Sequence, residues 1–230
     1  MGQLQRILWA AVALSLLTGC ASRPKIQKRQ PEPLPTEPSA VTGNPYFPRT
    51  MADSVVAEAL VSYSGQFWED SNGEYVENVA ALMISNPTEQ TLAFGAFAVE
   101  QAGGTMYFFV HRLPPQSRCL ILEYEKKACL PEKVTDCRAL RLQWEHPDYS
   151  PEQVDYFCRG RDMTIINRDD RPLSQVTVWY KRYDREAGYY IGGIAYAAYL
   201  HTMLPGERRT LQPAHYDAAC ARIVGIALEV

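Results

Sequence analysis

Cysteine is the residue type in this chain whose spacing is most informative about chemistry. Six cysteines occur, and setting aside Cys20, which belongs to the amino-terminal motif described below, leaves five. In an oxidising compartment, an odd number of thiols permits disulfides but leaves at least one thiol over. We predict a local bridge between Cys129 and Cys137, which bracket a short loop, and a second candidate bridge between Cys119 and Cys158. Cys220 completes the set. The gaps between successive cysteines are too wide for the paired ligands of a zinc site.

The histidines and acidic residues are not spaced as in known catalytic or metal-binding motifs. The four histidines, His111, His146, His201 and His215, lack the spacing of metal-binding or protease motifs. The adjacent acids Glu69-Asp70 and Asp169-Asp170 lie in predicted turns, where such side chains are mostly solvated. A calcium ion at the second pair would need more oxygen ligands than the sequence offers. We therefore predict no metal or cofactor site, no catalytic residues and no enzymatic activity.

Tyrosines crowd one long predicted hairpin, from residue 175 to residue 201. The candidates for partner binding are Tyr180, Tyr183, Tyr189 and Tyr190. Tyrosine suits interfaces because an apolar ring carries a polar tip. Packing within the core explains most of these rings, and an exposed ribbon that contacts a protein partner is the alternative.

The amino terminus has the form of an export signal. An 11-residue apolar run follows Arg6 and ends at Leu17-Thr18-Gly19-Cys20. This run is too short to span a bilayer, and the small residues after it suit a cleavage site. A cysteine directly after Leu-Thr-Gly resembles the lipobox of bacterial lipoproteins. An ordinary signal peptide with a chance cysteine is the alternative.

The lipobox resemblance implies where the protein resides. Residues 1–19 would be removed, and Cys20 would carry diacylglycerol on its sulfur and an acyl chain on its new amino group. Three chains exceed the roughly two signals that stable anchoring requires. Ala21 in place of an aspartate implies the outer membrane, with the protein facing the periplasm. A formal net charge of −3 argues against nucleic acid as a partner.

The composition changes twice along the mature chain. Residues 20–53 hold seven of the 16 prolines and predict a disordered, semi-rigid tether. From residue 54 onward, short runs of β-branched and aromatic residues alternate with turns, which predicts an all-β sandwich. Asn72-Gly73 and Gly103-Gly104 are hairpin signals. A polar segment rich in proline separates two predicted β-sandwich domains, 54–146 and 154–230.

The two β regions also match each other as an internal repeat. Met83-Ile84-Ser85-Asn86 corresponds to Thr164-Ile165-Ile166-Asn167, and Leu113-Pro114-Pro115-Gln116 corresponds to Leu204-Pro205-Gly206-Glu207. The second copy has about ten extra residues, which would lengthen the hairpin around Gly188. Two small sandwiches in tandem are the predicted architecture, and a single larger sandwich is the alternative.

The second copy resembles the immunoglobulin-like domains of the FxLYD kind that occur in bacterial lipoproteins. The shared pattern spans residues 162–230. It comprises a strand ending in Asn167, the long strand Val176-Thr177-Val178-Trp179-Tyr180, a glycine turn, and a Leu-Pro-Gly-Glu turn before the last strand. The resemblance implies a non-enzymatic interaction or spacer module.

These observations predict a membrane-anchored envelope lipoprotein that acts as a binding or structural module. Its partners would be the membrane, through the lipid, and another envelope protein. One alternative is an accessory lipoprotein of a secretion or surface-appendage assembly. The other is a cell-wall-active enzyme with a noncontiguous site, which would need a deep cleft between the β regions with converging Asp, Glu or His.

Overall fold

The computed structural model describes residues 46–70, 72–146 and 152–229. The predicted signal peptide, the lipid attachment at Cys20 and most of the predicted tether lie outside these ranges. All described residues belong to one compact unit, Pro35–Val230. Within the described ranges, no helix is long and apolar enough to cross a membrane.

The described chain is built from strands with two short 3₁₀ helices, Ala52–Ser54 and Pro131–Lys133. The strands are β1 (Arg49–Thr50), β2 (Val56–Gln66), β3 (Tyr75–Asn86), β4 (Thr91–Gln101), β5 (Gly104–Leu113), β6 (Ser117–Leu122), β7 (Val134–Glu145), β8 (Val154–Arg159), β9 (Asp162–Asn167), β10 (Leu173–Asp184), β11 (Tyr189–Ile191), β12 (Tyr196–Met203), β13 (Arg208–Leu211) and β14 (Ala221–Glu229). The predicted all-β class is confirmed.

The same strand topology occurs twice. In the first repeat, β2 to β7, one sheet has the order β2-β3-β6 and the other β5-β4-β7. In the second repeat, β8 to β14, the corresponding sheets are β8-β9-β13 and β12-β10-β14. Each pair of sheets encloses a core of buried apolar side chains, such as Phe97 and Phe108 in the first and Val176 and Ile226 in the second. On β5 the buried side chains of Met106, Phe108 and Val110 alternate with less buried ones, which is the alternation of a strand with one face on the core. Strands β3, β6 and β9 instead bury runs of consecutive residues.

Equivalent asparagines anchor the two repeats. The side-chain amide of Asn86 donates to the carbonyls of Gln90, Leu113 and Pro114, and that of Asn167 donates to the carbonyls of Arg171 and Met203. Both side chains are fully buried.

At the second turn, the strand register differs by one residue from the sequence alignment of the two repeats. Leu92 pairs with Leu113, and its counterpart Leu173 pairs with Met203 and not with Leu204. The expected correspondence of Leu113 with Leu204 was therefore wrong by one position.

Strand β11 joins the repeats into one eight-stranded sheet. It pairs in parallel with β6, where Tyr190 lies opposite Cys119, and antiparallel with β10, where Tyr190 lies opposite Tyr183. It is formed by the extra residues of the second repeat, directly after the turn at Gly188, whose φ of 77° suits glycine. The insertion is thus the structural link between the repeats.

The folded part starts before the predicted boundary at residue 54. Strand β1 pairs with β2, and Tyr46 and Phe47 pack against the core of the first repeat. The predicted tether therefore extends too far at its carboxyl end. Its proline content favoured a disordered segment, although it contains two aromatic residues whose side chains pack against the core.

The predicted disulfides are absent from the structure. The five cysteines in the described ranges are all free thiols. Cys119 lies on β6 and Cys158 on β8, in different sheets. Cys129 and Cys137 share the core of the first repeat. Burial raises the pKa of each of these two thiols to about 12, which disfavours the thiolate needed for disulfide exchange.

Candidate functional site

A cavity of about 550 Å³ opens where the two repeats meet. In the first repeat its walls come from β4, β5 and the carboxyl end of β6. In the second repeat they come from the loop after β11. Five rings line this aromatic cavity: Phe94, Tyr107, Phe109, His111 and Tyr124. The lining is completed by Glu69, Leu122, Glu125, Gly193 and Ile194.

Strand alternation places most of the rings. Met106, Phe108 and Val110 of β5 point into the core and are fully buried. Residues between them on a strand point to the opposite face, and these are Tyr107, Phe109 and His111. Phe94 lies opposite His111 in the β4–β5 ladder, and the two ring centroids are 5.1 Å apart.

Tyr124 closes one side of the aromatic cavity. Its backbone N–H donates to the carbonyl of Tyr107 at 3.1 Å. Its ring meets that of Phe109 edge to face, with centroids 5.6 Å apart, which is a favourable aromatic geometry. The side chains of Tyr124 and Tyr107 are 62% and 39% exposed, so both rings present unpacked surface to a ligand.

Glu69 supplies one of the two carboxyl groups that line the cavity. It lies in the loop between β2 and β3, and its side chain reaches the loop after β11. One oxygen accepts the N–H groups of Leu122 and Gly193, each at 2.8 Å, and the other accepts the N–H of Gly193 at 2.7 Å. Burial raises the pKa of Glu69 to about 7, against the opposing effect of these amides and of Lys181.

Lys181 holds the same loop from the other side. Its side chain on β10 is fully buried. The ammonium donates to the carbonyls of Gly192, Gly193 and Ile194 at 3.1, 2.9 and 2.8 Å. These three bonds use all the donors of an ammonium group. Burial lowers the pKa of Lys181.

Gly193 is a point of close approach between the two repeats. Its N–H donates to Glu69, and its carbonyl accepts from Lys181 and from the N–H of His111, the latter at 2.7 Å. A Cβ at this position would lie 1.7 Å from the carbonyl oxygen of Phe109. No residue other than glycine fits this approach without displacing the backbone of β5.

Cys119 lies behind the same loop and is inert. Its Sγ donates to the carbonyl of Gly192 at 3.3 Å. Burial raises the pKa of this thiol to about 12. A protonated, fully buried thiol is a packing group and not a nucleophile.

Two further titratable groups line the aromatic cavity. Burial, assisted by Lys181, lowers the pKa of His111, so its ring is neutral at neutral pH. Glu125 is paired with Lys127, whose Nζ lies 2.5 Å from its carboxylate.

The tyrosines proposed for partner binding lie elsewhere. Tyr180, Tyr189 and Tyr190 are buried in three different core clusters, and Tyr183 is partly buried against the cluster that contains Tyr190. The Tyr183 and Tyr190 rings meet edge to face at 5.0 Å. Core packing, which was expected for most of these rings, accounts for all four. The alternative of an exposed ribbon does not hold at these positions, because β11 lies between β6 and β10.

Sequence reasoning assigned Glu69 to a solvated turn and did not single out Lys181. A lysine within the apolar alternation of β10 was the one available signal. Asp169 and Asp170, the other acidic pair, lie beside Arg171, which contacts both at 3.2 and 3.9 Å. Within the described ranges, no group of three His, Cys, Asp or Glu side chains could hold a metal ion.

No family model matches the chain, and no curated protein or solved structure matches it either. The chemistry of the site therefore follows from its own geometry.

Proposed function

We propose that this protein is a lipid-anchored envelope protein that binds another envelope component through the aromatic cavity, without chemical change to it. The carrying observation is the cavity itself, which has the size of a small-molecule site and is lined by rings with a few polar groups. The lipobox motif at Cys20 supports the anchor in the outer membrane, and the repeated topology supports two immunoglobulin-like modules.

The engagement of the polar groups supports binding over catalysis. Glu69, Lys181 and Cys119 all direct their polar atoms at backbone groups of the loop after β11 or of β6. Groups held in this way shape a cavity rigidly. A nucleophile or proton carrier, by contrast, needs an atom that is free to face the reacting group.

Photo-crosslinking of the full-length protein in intact cells tests this proposal. A benzophenone side chain replaces Tyr124 in the cavity or, as the matched control, Tyr75, which is 60% exposed and outside it. We expect an adduct from position 124 only. We also expect radiolabelled palmitate on the wild type and none on Cys20→Ser. Equal adducts from both positions would contradict binding through the cavity, and an unlabelled wild type would contradict the anchor.

A second candidate function is a cell-wall-active enzyme. The aromatic cavity lies between the repeats and brings together Glu69, His111 and Glu125. Paired carboxyl groups in unlike environments are the groups that glycoside hydrolysis requires. Purified cell-wall glycan is the test substrate. Release of reducing ends by the wild type, lost in Glu69→Gln, would establish this function in place of simple binding.

A further inference from the structure

We infer that the aromatic cavity takes a neutral saccharide, an inference that rests on the proposed binding function. Its three supports are the arrangement of rings, the balance of charge, and the type of hydrogen-bonding groups that remain available.

The rings provide apolar faces at two angles. Phe94 and Phe109 are nearly parallel, with an interplanar angle of 20° and centroids 6.5 Å apart, whereas Tyr124 stands edge-on to Phe109 at 88°. A sugar ring has an apolar face of C–H groups and a polar rim. Such a ring can cover an aromatic face with its C–H groups while its rim stays near polar side chains.

Charge at the aromatic cavity is balanced, which disfavours charged ligands. The carboxylate of Glu125 is neutralised by Lys127, and that of Glu69 is opposed by buried Lys181. The rings already carry cations of the protein itself: Arg141 lies 5.8 Å from the Phe94 centroid and Lys127 lies 5.9 Å from the Tyr107 centroid. An organic cation would meet these two positive groups, and an anion would meet Glu69 and Glu125.

The available polar groups suit hydroxyls. The phenol groups of Tyr107 and Tyr124 each donate and accept, and the neutral imidazole of His111 does the same with its two nitrogens. A sugar hydroxyl also donates and accepts, so each of these groups can satisfy it in either sense. A pure hydrocarbon would leave all three without a partner in the complex, which would cost affinity.

Calorimetric titration of the full-length protein in detergent tests the inference. The probes are N-acetylglucosamine, its β-1,4-linked dimer and glucose, with tetramethylammonium chloride as the cationic comparison. We expect saturable binding of at least one saccharide and none of the cation. Tyr124→Ala should weaken the saccharide about tenfold, because it removes one ring face and one hydroxyl.

Two further variants separate the cavity from the protein as a whole. Tyr75→Ala removes an equally exposed ring outside the aromatic cavity and should leave the affinity unchanged. Tyr124→Phe keeps the ring and should lose no more than about threefold. Because both tyrosines are exposed, we expect each variant to fold, with the spectrum and melting temperature of the wild type.

The outcomes distinguish failure of this inference from failure of the proposed function. Saccharide affinity that is equal in Tyr124→Ala and the wild type would overturn the inference. So would tighter binding of tetramethylammonium. If no saccharide binds while position 124 still crosslinks an envelope component, the inference is wrong and the proposed function stands.

Discussion

The carboxylate of Glu69 accepts the backbone N–H of Gly193 at 2.7 Å, across a separation of 124 residues. This contact joins a loop of the first repeat to the loop that follows β11 in the second. Lys181 holds the same loop through three of its carbonyls. The wall of the aromatic cavity therefore depends on one acid and one base, each of which binds backbone atoms.

Replacement of Gly193 by alanine should be strongly destabilising. The new Cβ would lie 1.7 Å from the Phe109 carbonyl oxygen and 2.9 Å from Glu69 Oε2, so β5 and the loop must separate. We expect a loss of about 3 kcal/mol or more in the free energy of unfolding, measured by urea denaturation.

Gly225→Ala is the matched control for that substitution. Its Cβ would meet only the far end of the Arg112 side chain closer than 3 Å, and that side chain can move. A loss of about 1 kcal/mol or less is expected there. Equal losses for the two glycines would contradict the close approach at Gly193.

Glu69 should make stability depend on pH. Its pKa in the folded protein is about 7 against an ordinary 4.5, so the folded state keeps a proton that the unfolded chain has released. The stability that this group contributes is full below about pH 4.5 and is lost as pH rises through 7. The loss amounts to about 3 kcal/mol at most.

Denaturation of the wild type and Glu69→Gln at pH 4.5 and pH 8 measures this effect. The wild type should lose more stability than the variant on going to pH 8, and the difference between the two losses isolates Glu69. Parallel losses in both proteins would show that the carboxyl group has an ordinary pKa.

Loss of the Lys181 ammonium should loosen the loop after β11. Lys181→Met keeps much of the side-chain volume but removes the ammonium donor from three carbonyls. Those of Gly192 and Gly193 keep the Cys119 thiol and the backbone N–H of His111 as donors, and that of Ile194 loses the ammonium bond. We expect destabilisation of about 2–4 kcal/mol and faster hydrogen exchange at the Gly193 N–H. Lys126→Met, at an exposed ion pair with Glu74, should change neither quantity appreciably. Unaltered exchange at Gly193 in the Lys181 variant would count against this role.

The thiols should differ in accessibility. Cys119, Cys129 and Cys137 are buried, whereas Cys158 and Cys220 are partly exposed. Alkylation of the native protein should therefore label the last two first, and labelling of the buried three should require denaturant. Mass spectrometry reads the sites directly. A Cys129–Cys137 bridge in protein taken from the envelope would instead support the disulfide predicted from sequence.

Local sequence patterns were sufficient to predict the strands and the internal repeat. The alternation of Met106, Phe108 and Val110 with Tyr107 and Phe109 predicts a strand with one buried face, whatever packs against it. Asn86 and Asn167 each follow an apolar run and precede a turn. Their equivalence could therefore be predicted from the sequence, before the structure showed that both anchor their repeats by hydrogen bonds. These signals lie within a few residues of one another in the chain.

The amino-acid sequence alone therefore determined the all-β class, the doubled topology and the rings on β5. Only the tertiary structure decided that Lys181 is buried and that Glu69 binds the loop after β11. It also decided that Tyr189 and Tyr190 belong to the core and that a cavity opens between the repeats. The physical reason is that burial and the shift of a pKa depend on neighbours far away in sequence. Gly193 contacts Glu69 only because β11 pairs in parallel with β6, and a parallel pairing between distant segments leaves no local signature.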